Sequence, residues 1–306
     1  MKAWRKQGNQ LALADLPAPA PAPDELLLRV QSVSLNRGEV RGAALAPEGR
    51  VPGWDVAGIV ESPAVDGSGP AKGARIAALL DSGGWAELAV VPAGRAAVVP
   101  DGVDLDVAAT LPIAGLTVLR ALALAEPIGG QRVLITGGSG GVGQFAIQLA
   151  AQAGAEVTAV SSRMDRHDEL KRLGAGDVVA SIEDAEGPFR LVLESVGGGS
   201  LAKAIELVGH EGVVVTIGNS SEQDTTFNAR TLYGKGAARI YGLIVFEEVR
   251  SGRVGARDLE SLMQLVLDGR LQAPISLRRN WTELPMTLLE LEQREYPGKA
   301  VLRIGP

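Results

Sequence analysis

The sequence predicts an α/β fold: a doubly wound parallel sheet, and a second, β-rich domain made from both ends of the chain. From residue 132 to 243, apolar strands alternate with helices at the spacing of β-α-β units. In the first hundred residues, short strands are separated by Pro and Gly, which is typical of a barrel or sandwich. Beyond residue 248 the alternation stops. The remaining tail is too small to fold alone, so we expect it to rejoin the N-terminal domain.

The N-terminal part predicts four strands, each an apolar run bounded by turn-forming residues: Glu25 to Val30, Ala57 to Glu61, Arg75 to Leu79 and Ala86 to Val90. The Pro/Ala segment at 17–23 is interpreted as a surface loop. Asp106 to Ala125 has a helical composition. Pro112 breaks or kinks this helix because proline lacks the N–H group that a helix interior needs.

The central part predicts strands Arg132 to Thr136, Glu156 to Ser161, Asp177 to Ala180, Arg190 to Glu194, Gly212 to Ile217 and Arg239 to Leu243, with helices Gly143 to Ala153, Asp165 to Leu173 and Leu201 to Val208. Val133 to Ala155 contains no charged residue and is long enough to span a bilayer. Its glycines and glutamines indicate a strand, a glycine loop and a buried helix instead.

The tail predicts three elements. Ala256 to Asp268 is an amphipathic helix that ends at Gly269, with an apolar stripe of Leu259, Leu262, Met263, Val266 and Leu267. A Leu-rich helix around Pro285 to Glu292 and a closing strand at Ala300 to Ile304 follow.

Composition excludes several classes of function. The 306 residues predict roughly two domains, and a net charge of −6 gives no basic field for a nucleic-acid or membrane partner. The chain has no Cys and two His, which excludes disulfides and thiolate chemistry and leaves a metal site short of ligands. Because no apolar core follows Met1 to Lys6, we expect no signal peptide and a cytoplasmic protein.

A glycine motif follows the strand that starts at Arg132. Gly138, Ser139, Gly140, Gly141, Val142 and Gly143 fit G-x-G-x-x-G and open a helix. The first glycine permits a tight turn, the second lets backbone N–H groups reach a pyrophosphate, and the third lets helix and strand pack closely. The motif predicts a Rossmann dinucleotide site. The alternative is a glycine-rich surface loop.

The end of the next strand indicates which dinucleotide binds. An NAD site places an acidic side chain there to accept the ribose hydroxyls. This chain has Ser161, Ser162 and Arg163, with no acid before Asp165. Hydroxyl and guanidinium groups suit a 2′-phosphate, so we predict NADPH as the cofactor. Arg166 could share or replace the role of Arg163.

The order of these parts resembles the medium-chain dehydrogenase/reductase superfamily over essentially the whole chain. Segments similar to its zinc-free quinone oxidoreductase branch are Ser34 to Glu39, Pro52 to Gly58, Leu111 to Thr117, Leu173 to Ala175, Val196 to Gly198 and Gly298 to Leu302. The resemblance implies a Rossmann domain at residues 113–247. It also implies a discontinuous GroES-like β-barrel catalytic domain from residues 1–112 and 248–306.

The resemblance also implies how the chain differs from the zinc alcohol dehydrogenases of the superfamily. At the three catalytic zinc ligands of those enzymes, this chain has Asn36, Trp54 and Ile113. None of these side chains binds zinc tightly. Without a Lewis acid, hydride transfer needs an acceptor that is already activated, namely a quinone or a C=C bond conjugated to a carbonyl.

By this resemblance, NADPH lies at the C-terminal edge of the parallel sheet, in the cleft between domains. Asn36 and Thr117 would lie near the nicotinamide and its ribose, and Trp54 would form an apolar wall of the substrate pocket. Contacts to the cofactor are also expected from Gly218, Asn219, Leu243, Val245 and Lys299. Three alternatives stay open: Asn36 only caps a turn, Trp54 belongs to a core, or Lys299 is an exposed lysine on a closing strand.

No proton donor can be named from the sequence. Tyr233 and Tyr241 have suitable phenols but lie on no family motif, and solvent could protonate the product. His167 lies among charged residues and is expected to be solvated. Two departures from the family weaken the transfer of roles, because Glu39 and Glu194 stand where the family usually has Asp.

The leading hypothesis is an NADPH-dependent reductase of small quinones or enones. A second is a biosynthetic reductase for one large conjugated intermediate, and a third is an NADPH-binding protein with little turnover. We also expect a homodimer, since the apolar run 237–246 could supply an exposed edge strand.

Overall fold

The computed structural model describes residues 1–305, which form two compact units. The first unit joins Met1–Leu116 to the C-terminal stretch that begins at Val254. The second unit is Thr117–Arg253.

The strands, in chain order, are β1 Lys2–Gln7, β2 Gln10–Asp15, β3 Glu25–Ser34, β4 Asp55–Ser62, β5 Arg75–Leu79, β6 Leu88–Pro92, β7 Ala97–Val98, β8 Arg132–Ile135, β9 Glu156–Val160, β10 Asp177–Val179, β11 Phe189–Glu194, β12 Val208–Thr216, β13 Arg239–Gly242, β14 Ile275–Asn280 and β15 Lys299–Arg303. The helices are α1 Arg37–Leu45, α2 Leu105–Ala109, α3 Leu111–Ala123, α4 Gly141–Gln152, α5 His167–Arg172, α6 Gly198–Leu207, α7 Ala229–Tyr233, α8 Val245–Arg250, α9 Ala256–Leu267 and α10 Leu284–Glu292.

The second unit contains a six-stranded sheet in the order β10-β9-β8-β11-β12-β13, and all five strand pairs are parallel. The strand order changes direction at β8, whose residues Val133, Leu134 and Ile135 are almost wholly buried. A strand buried on both faces needs a continuous apolar run, and β8 has one. The predicted doubly wound parallel sheet is confirmed.

The first unit contains a seven-stranded sheet organised around β3. Strand β4 pairs with β3 along one side, and two strands share the other side. Residues 25–29 of β3 pair with β6, whereas residues 32–34 pair with β15 near the end of the chain. The C-terminal tail therefore supplies a strand to the N-terminal sheet, as expected.

Proline divides the helical stretch that follows β7. Helix α2 ends at Ala109 and α3 begins at Leu111, with Thr110 between them and Pro112 in the first turn of α3. Proline fits a first turn because the N–H groups there have no partner within the helix. The predicted break is confirmed.

Among residues 1–305, the sequence prediction lacks seven elements, namely β1, β2, α1, β7, α7, α8 and β14. Strands β1 and β2 pair as an antiparallel hairpin, and α1 follows β3 directly. Helix α1 contains Gly38 and Gly42, which weaken helix propensity, so its sequence gives little local signal. Predicted helix Asp165 to Leu173 begins later than expected, because Met164–Arg166 forms a 3-10 turn before α5.

Strand β13 is an edge of the parallel sheet, and the predicted homodimer through this segment stays a prediction. Across residues 1–305, none of the helices combines the length and the apolar character needed to cross a membrane.

A buried carboxylate ties helix α2 to the C-terminal strands. Asp106 is 1% exposed and accepts hydrogen bonds from Ser32 Oγ at 2.7 Å, Arg278 Nε at 3.1 Å and Arg303 Nε at 2.8 Å. Burial alone would raise the pKa of Asp106, but the hydrogen bonds from Arg303 and Ser32 outweigh burial and hold the pKa below its usual value. The ionised form of Asp106 is therefore the one that stabilises this unit.

Replacing Asp106 with Asn should lower the free energy of unfolding by about 2–3 kcal/mol at pH 7, since two charge-assisted hydrogen bonds are lost. Because the pKa is depressed, this stabilisation is present above the ordinary value of 3.8 and is lost as the pH falls through the lower, folded-state pKa. Urea denaturation at pH 7 and below pH 3.8 measures both effects. Asp101→Asn, at a fully exposed side chain, is the matched control. A constant difference between wild type and Asp106→Asn at both pH values would contradict the assignment.

Candidate functional site

The glycine turn joins β8 to α4 in the second unit. Gly137 has a φ of 63°, which favours glycine, and the Gly138 N–H donates to Val160 O at 2.9 Å. At Gly143, a Cβ atom would lie 2.3 Å from Gly137 O and 2.8 Å from Gly138 Cα. No side chain fits there. The third glycine of the motif is therefore required for the helix to pack against the turn, as the motif predicts.

Helix α4 begins at Gly141, two residues earlier than predicted, so Gly141 and Val142 lie in its first turn. Its N-cap residue is Gly140, which has no side chain to cap the helix. The first N–H groups of a helix have no partner within it, and they carry the positive end of the helix dipole. This turn has the backbone chemistry and the close approach that a pyrophosphate needs.

The segment after β9 carries the residues predicted to select the cofactor. Ser161 is 3% exposed, whereas Ser162 is exposed. The Arg163 side chain is 38% exposed and lies 4.0 Å from Asp165, at the limit of an ion pair. Arg166 forms a close ion pair with Glu169 one turn along the chain. The contact of Arg163 with its neighbouring carboxylate is thus longer than that of Arg166.

His167 contacts the backbone of this segment. Its Nε2 atom lies 2.8 Å from Ser161 O, and the ring is half-buried. The expectation that His167 is simply solvated is wrong. The charged residues around it suggested a surface position, but the imidazole turns inward to the backbone of Ser161.

The ends of the neighbouring strands meet beside the glycine turn. Glu194 is fully buried and accepts from the N–H groups of Val196 and Gly197 at 2.9 Å each. Ile217 N–H donates to Glu194 O at 2.8 Å, which links this strand end to the segment that contains Gly218 and Asn219. The longer side chain of Glu194, compared with the usual Asp, thus serves to organise the turn that follows β11.

Leu243 and Val245, after β13, have buried side chains. Tyr241 donates its hydroxyl proton to Glu248, which also accepts from Arg120 Nε at 2.7 Å. The Tyr241 hydroxyl is therefore hydrogen-bonded to a carboxylate, and Tyr233 is 70% exposed.

Thr117, on α3, is buried. The roles predicted for Thr117, Leu243 and Val245 stay predictions.

The first unit contains a buried polar cluster, which we define as Asn36, Glu39, Asp55 and Lys299. Each of the four side chains belongs to a residue at most 8% exposed. Lys299 Nζ donates to Asn36 Oδ1 at 2.6 Å and lies 3.3 Å from Asp55 Oδ2. Asn36 Nδ2 donates to Asp55 Oδ2 at 2.8 Å and to Glu39 Oε2 at 3.2 Å.

This geometry resolves two of the open alternatives. Asn36 is the N-cap residue of α1, but its amide group is engaged by the cluster, so capping is not its whole role. Lys299 is buried, so the alternative of an exposed lysine is wrong. Its ammonium group points at Asn36 and Asp55, and the predicted cofactor contact of Lys299 stays a prediction.

Two carboxyl groups in the cluster share one ammonium group. Burial and the neighbouring Asp55 raise the pKa of Glu39 to about 8, although N–H groups of Asn36 and Trp54 partly offset the rise. Burial also raises the pKa of Asp55, against the lowering effect of Lys299. At neutral pH the cluster therefore retains a proton on Glu39, while Asp55 faces the ammonium charge.

The three residues that the resemblance assigns to catalytic zinc positions are Asn36, which belongs to the cluster, and Trp54 and Ile113, which donate to it. Trp54 N–H donates to Glu39 Oε1 at 2.8 Å, and Ile113 N–H donates to Asp55 Oδ1 at 2.9 Å. Asn36, Trp54 and Ile113 offer an amide, an indole and an alkyl group, so these residues do not fit a zinc ion. Within residues 1–305, no group of three or more His, Cys, Asp or Glu side chains is placed to hold a metal.

Trp54 is half-buried and lines a cavity of about 270 Å³ in the first unit. The predicted role of Trp54 as a wall of the substrate pocket stays a prediction.

Sequence reasoning missed the role of Glu39 and of Asp55. The sequence singles out Glu39 only as a departure from the usual Asp of the family, and Asp55 only as part of a family-like segment. The Lys299 partner lies 263 positions from Asn36, and no local pattern reports such a pairing.

Three comparisons place the chain among known proteins. Residues 141–266 match the family described as zinc-binding dehydrogenase. The chain is 32% identical to the polyketide synthase GfsB of Streptomyces halstedii over 246 residues, which are 77% of this chain and 4% of that protein. The chain thus spans a small fraction of the first polyketide synthases that it matches, between 4% and 14% of their length.

Solved structures share the whole fold. The quinone oxidoreductase from Coxiella burnetii matches with a TM-score of 0.84 and 26% identity over 100% of this chain and 99% of that one. The quinone oxidoreductase of Escherichia coli complexed with NADPH matches with a TM-score of 0.85 and 20% identity over 99% of both chains, and it supports the fold alone.

The chain belongs to the medium-chain dehydrogenase/reductase superfamily of oxidoreductases, in its quinone oxidoreductase-like branch. The first unit is its GroES-like β domain and the second its Rossmann domain, which confirms the predicted fold class.

The raised pKa of Glu39 has a measurable consequence. The folded state binds a proton that the unfolded state releases between pH 4.5 and about 8, so the free energy of unfolding falls as the pH rises through this window. The slope from Glu39 alone is at most about 1.4 kcal/mol per pH unit. Glu39→Gln should remove it, and urea denaturation between pH 5 and 8 measures the difference between variant and wild type. Glu292→Gln, an exposed residue of the same unit, is the control. Parallel stability curves for wild type and Glu39→Gln would refute the raised pKa.

Proposed function

We propose that this chain is an NADPH-dependent oxidoreductase that transfers hydride to a quinone or an α,β-unsaturated carbonyl compound without zinc. The observation that carries the proposal is the buried polar cluster. It ties Asn36, Trp54 and Ile113 to Glu39 and Asp55. The resemblance assigns these three residues to the positions of the zinc ligands, and their side chains do not fit zinc. An acceptor that needs no metal to polarise it fits this arrangement.

The second unit supports NADPH binding through its own residues. The N-terminus of α4 and the glycine turn offer backbone N–H groups to the pyrophosphate. Arg163 and the serines at 161 and 162 offer a guanidinium group and hydroxyl groups to the 2′-phosphate. The proposed nicotinamide contacts are the segments of Gly218 and Asn219 and of Leu243 and Val245. The NADPH complex of the Escherichia coli relative agrees with this choice of cofactor.

When bound, NADPH supplies the hydride. The acceptor then gains a negative charge on its oxygen, which needs a hydrogen-bond donor or a proton. Both hydrogens of the Asn36 amide already have acceptors, in the carboxyl groups of Glu39 and Asp55, and the Tyr241 hydroxyl is bound to Glu248. We therefore propose that water delivers this proton. The chain's own contribution is to bind and orient the two reactants.

A second candidate follows from the polyketide synthases. Because the chain aligns with a segment of these large proteins, a reductase for one large conjugated thioester intermediate is the alternative substrate class. The same cofactor site would serve both reactions, so only the acceptor distinguishes them.

Purified protein should oxidise NADPH when it is given 1,4-naphthoquinone, 1,4-benzoquinone or trans-2-hexenal, followed by the loss of absorbance at 340 nm. Treatment with a strong zinc chelator should leave the rate unchanged, because no residue set here fits zinc. Turnover of an enoyl thioester in place of these compounds would favour the alternative. If NADPH binds but no acceptor of either class is reduced, the proposed reaction is wrong.

Arg163→Ala should weaken NADPH binding by about 10- to 100-fold, since a charge-assisted contact to phosphate contributes about 1.5–3 kcal/mol. NADH binding should change little, because NADH lacks the 2′-phosphate. Fluorescence titration with each nucleotide measures both constants. Arg166→Ala is the matched variant, and a larger loss there would assign the phosphate to Arg166. Equal losses for NADPH and NADH with Arg163→Ala would reject the assignment.

A further inference from the structure

Each polar group of Ser161, at the end of β9, has a partner within the second unit. Its N–H donates to Val179 O at 2.9 Å, on the neighbouring strand β10. Its hydroxyl oxygen accepts from the Arg163 N–H at 3.3 Å, and its carbonyl oxygen lies 2.8 Å from His167 Nε2. A carbonyl oxygen only accepts hydrogen bonds, so Nε2 carries the hydrogen, whether the ring is neutral or charged. The carbonyl of Ser161 is thus bound by a side chain that can be replaced without changing the backbone.

The carbonyl of Ser161 belongs to the peptide group that carries the Ser162 N–H. This peptide bond is trans, so its carbonyl oxygen and its N–H point in opposite directions. The contact with His167 therefore restrains the Ser162 N–H to point away from the imidazole. Ser162 is exposed, and within residues 1–305 no protein group accepts a hydrogen bond from its N–H or its hydroxyl. A ligand on this side of the turn would meet both donors.

The position of His167 is itself fixed by the packing of α5. His167 opens this helix, and Leu170, one turn later, is fully buried. A Cβ atom at Gly138 in the glycine turn would lie 3.4 Å from Leu170 Cδ1. The Gly138 N–H donates to Val160 O at 2.9 Å, and the next carbonyl along the chain, that of Ser161, is bound by α5. The imidazole thus holds the turn after β9 in place relative to the glycine turn.

Charge alone gives this segment little attraction for a phosphate. Besides His167, residues 161–169 contain two arginines and three acidic residues. Arg163 lies 4.0 Å from Asp165, and Arg166 is paired with Glu169. Because the anions outnumber the cations, the affinity for a phosphate must come from hydrogen-bond donors that point in a fixed direction.

We propose that His167 is a positioning residue for NADPH: through Ser161 O it holds the Ser162 N–H toward the 2′-phosphate, and it thereby favours NADPH over NADH. This inference rests on the proposed function, in which Ser162 and Arg163 bind that phosphate. A donor that is oriented before the ligand arrives binds more tightly, because the ligand does not have to order it. Without the imidazole, the Ser161–Ser162 peptide group can rotate, and NADPH loses this advantage.

The test compares two nucleotide fragments that differ only in the 2′-phosphate, namely 2′,5′-ADP and 5′-AMP. Isothermal titration calorimetry on the whole protein measures the Kd of each fragment for wild type and for His167→Ala. The Kd of 2′,5′-ADP should rise by about 5- to 20-fold in the variant, which is less than the full loss of a hydrogen bond to a charged group. The Kd of 5′-AMP should stay at its wild-type value. Loss of folded protein removes sites for both fragments equally and leaves the ratio of the two constants unchanged.

Two further variants separate the positioning role from a structural or purely electrostatic one. His167→Gln keeps an amide N–H that can donate to Ser161 O, so it should restore the wild-type ratio. Lys171→Ala is the matched control. Lys171 is exposed on the same helix, and its replacement removes a positive charge without touching the turn, so the ratio should not change.

The outcomes distinguish this inference from the proposed function. A wild-type ratio in His167→Ala would overturn the positioning role and leave the phosphate assignment standing. A ratio that falls in His167→Ala but is not restored in His167→Gln, or that falls as far in Lys171→Ala, would also overturn it. Equal constants for the two fragments in wild type would overturn both the phosphate assignment and the positioning role. Since no hydride acceptor takes part, failure of the proposed reaction would leave these ratios and the inference intact.

Discussion

The contact between Lys299 and Asp55 is the interaction on which the first unit depends. Both groups are removed from water, which is costly unless each charge has a partner and its remaining hydrogen-bonding capacity is satisfied. Asn36 meets this need, because its amide oxygen accepts from the ammonium group and its amide nitrogen donates to the carboxylate. A strand near the end of the chain, the start of α1 and the start of β4 are thereby fixed to one another. Removing either charged group would leave the other buried without a partner of opposite charge. We therefore expect the loss of one group to disrupt the whole cluster.

In the second unit, the corresponding constraint is steric. The glycine turn works because backbone atoms occupy the space that a side chain at Gly143 would need. Helix α4 can then begin close to β8, with its N–H groups directed at the end of the sheet. The first unit thus depends on a hydrogen-bonded network of side chains. The second unit depends on glycines, which have no side chain to obstruct the turn.

Local sequence patterns predicted the second unit well and the first unit less well. Strand β8, the glycine turn and the proline break before α3 are each encoded within a few neighbouring residues, so periodicity and turn chemistry suffice. Helix α1 contains two glycines, which weaken its helix propensity. Trp54 packs on this helix, and such a tertiary contact cannot be predicted from helix propensity. The partners of Glu39 and Asp55 come from segments far apart in the chain. The prediction for His167 failed for a different reason, because its partner is a backbone carbonyl six positions away and composition cannot reveal such a contact.

The pairing of β15 with β3 also governs the order in which the protein can be built during synthesis. Strand β3 is made early, but half of one of its edges receives its partner only when residues 301–303 are available. The second unit takes all its strands from one continuous stretch, so its sheet needs no residue beyond Gly242. Until β15 is available, the first unit has an open strand edge and an Asp55 that lacks its ammonium partner. A chain cut after residue 253 would therefore retain every strand of the second unit, whereas its first unit would lack β14 and β15 and be exposed to aggregation at the open edge of β3.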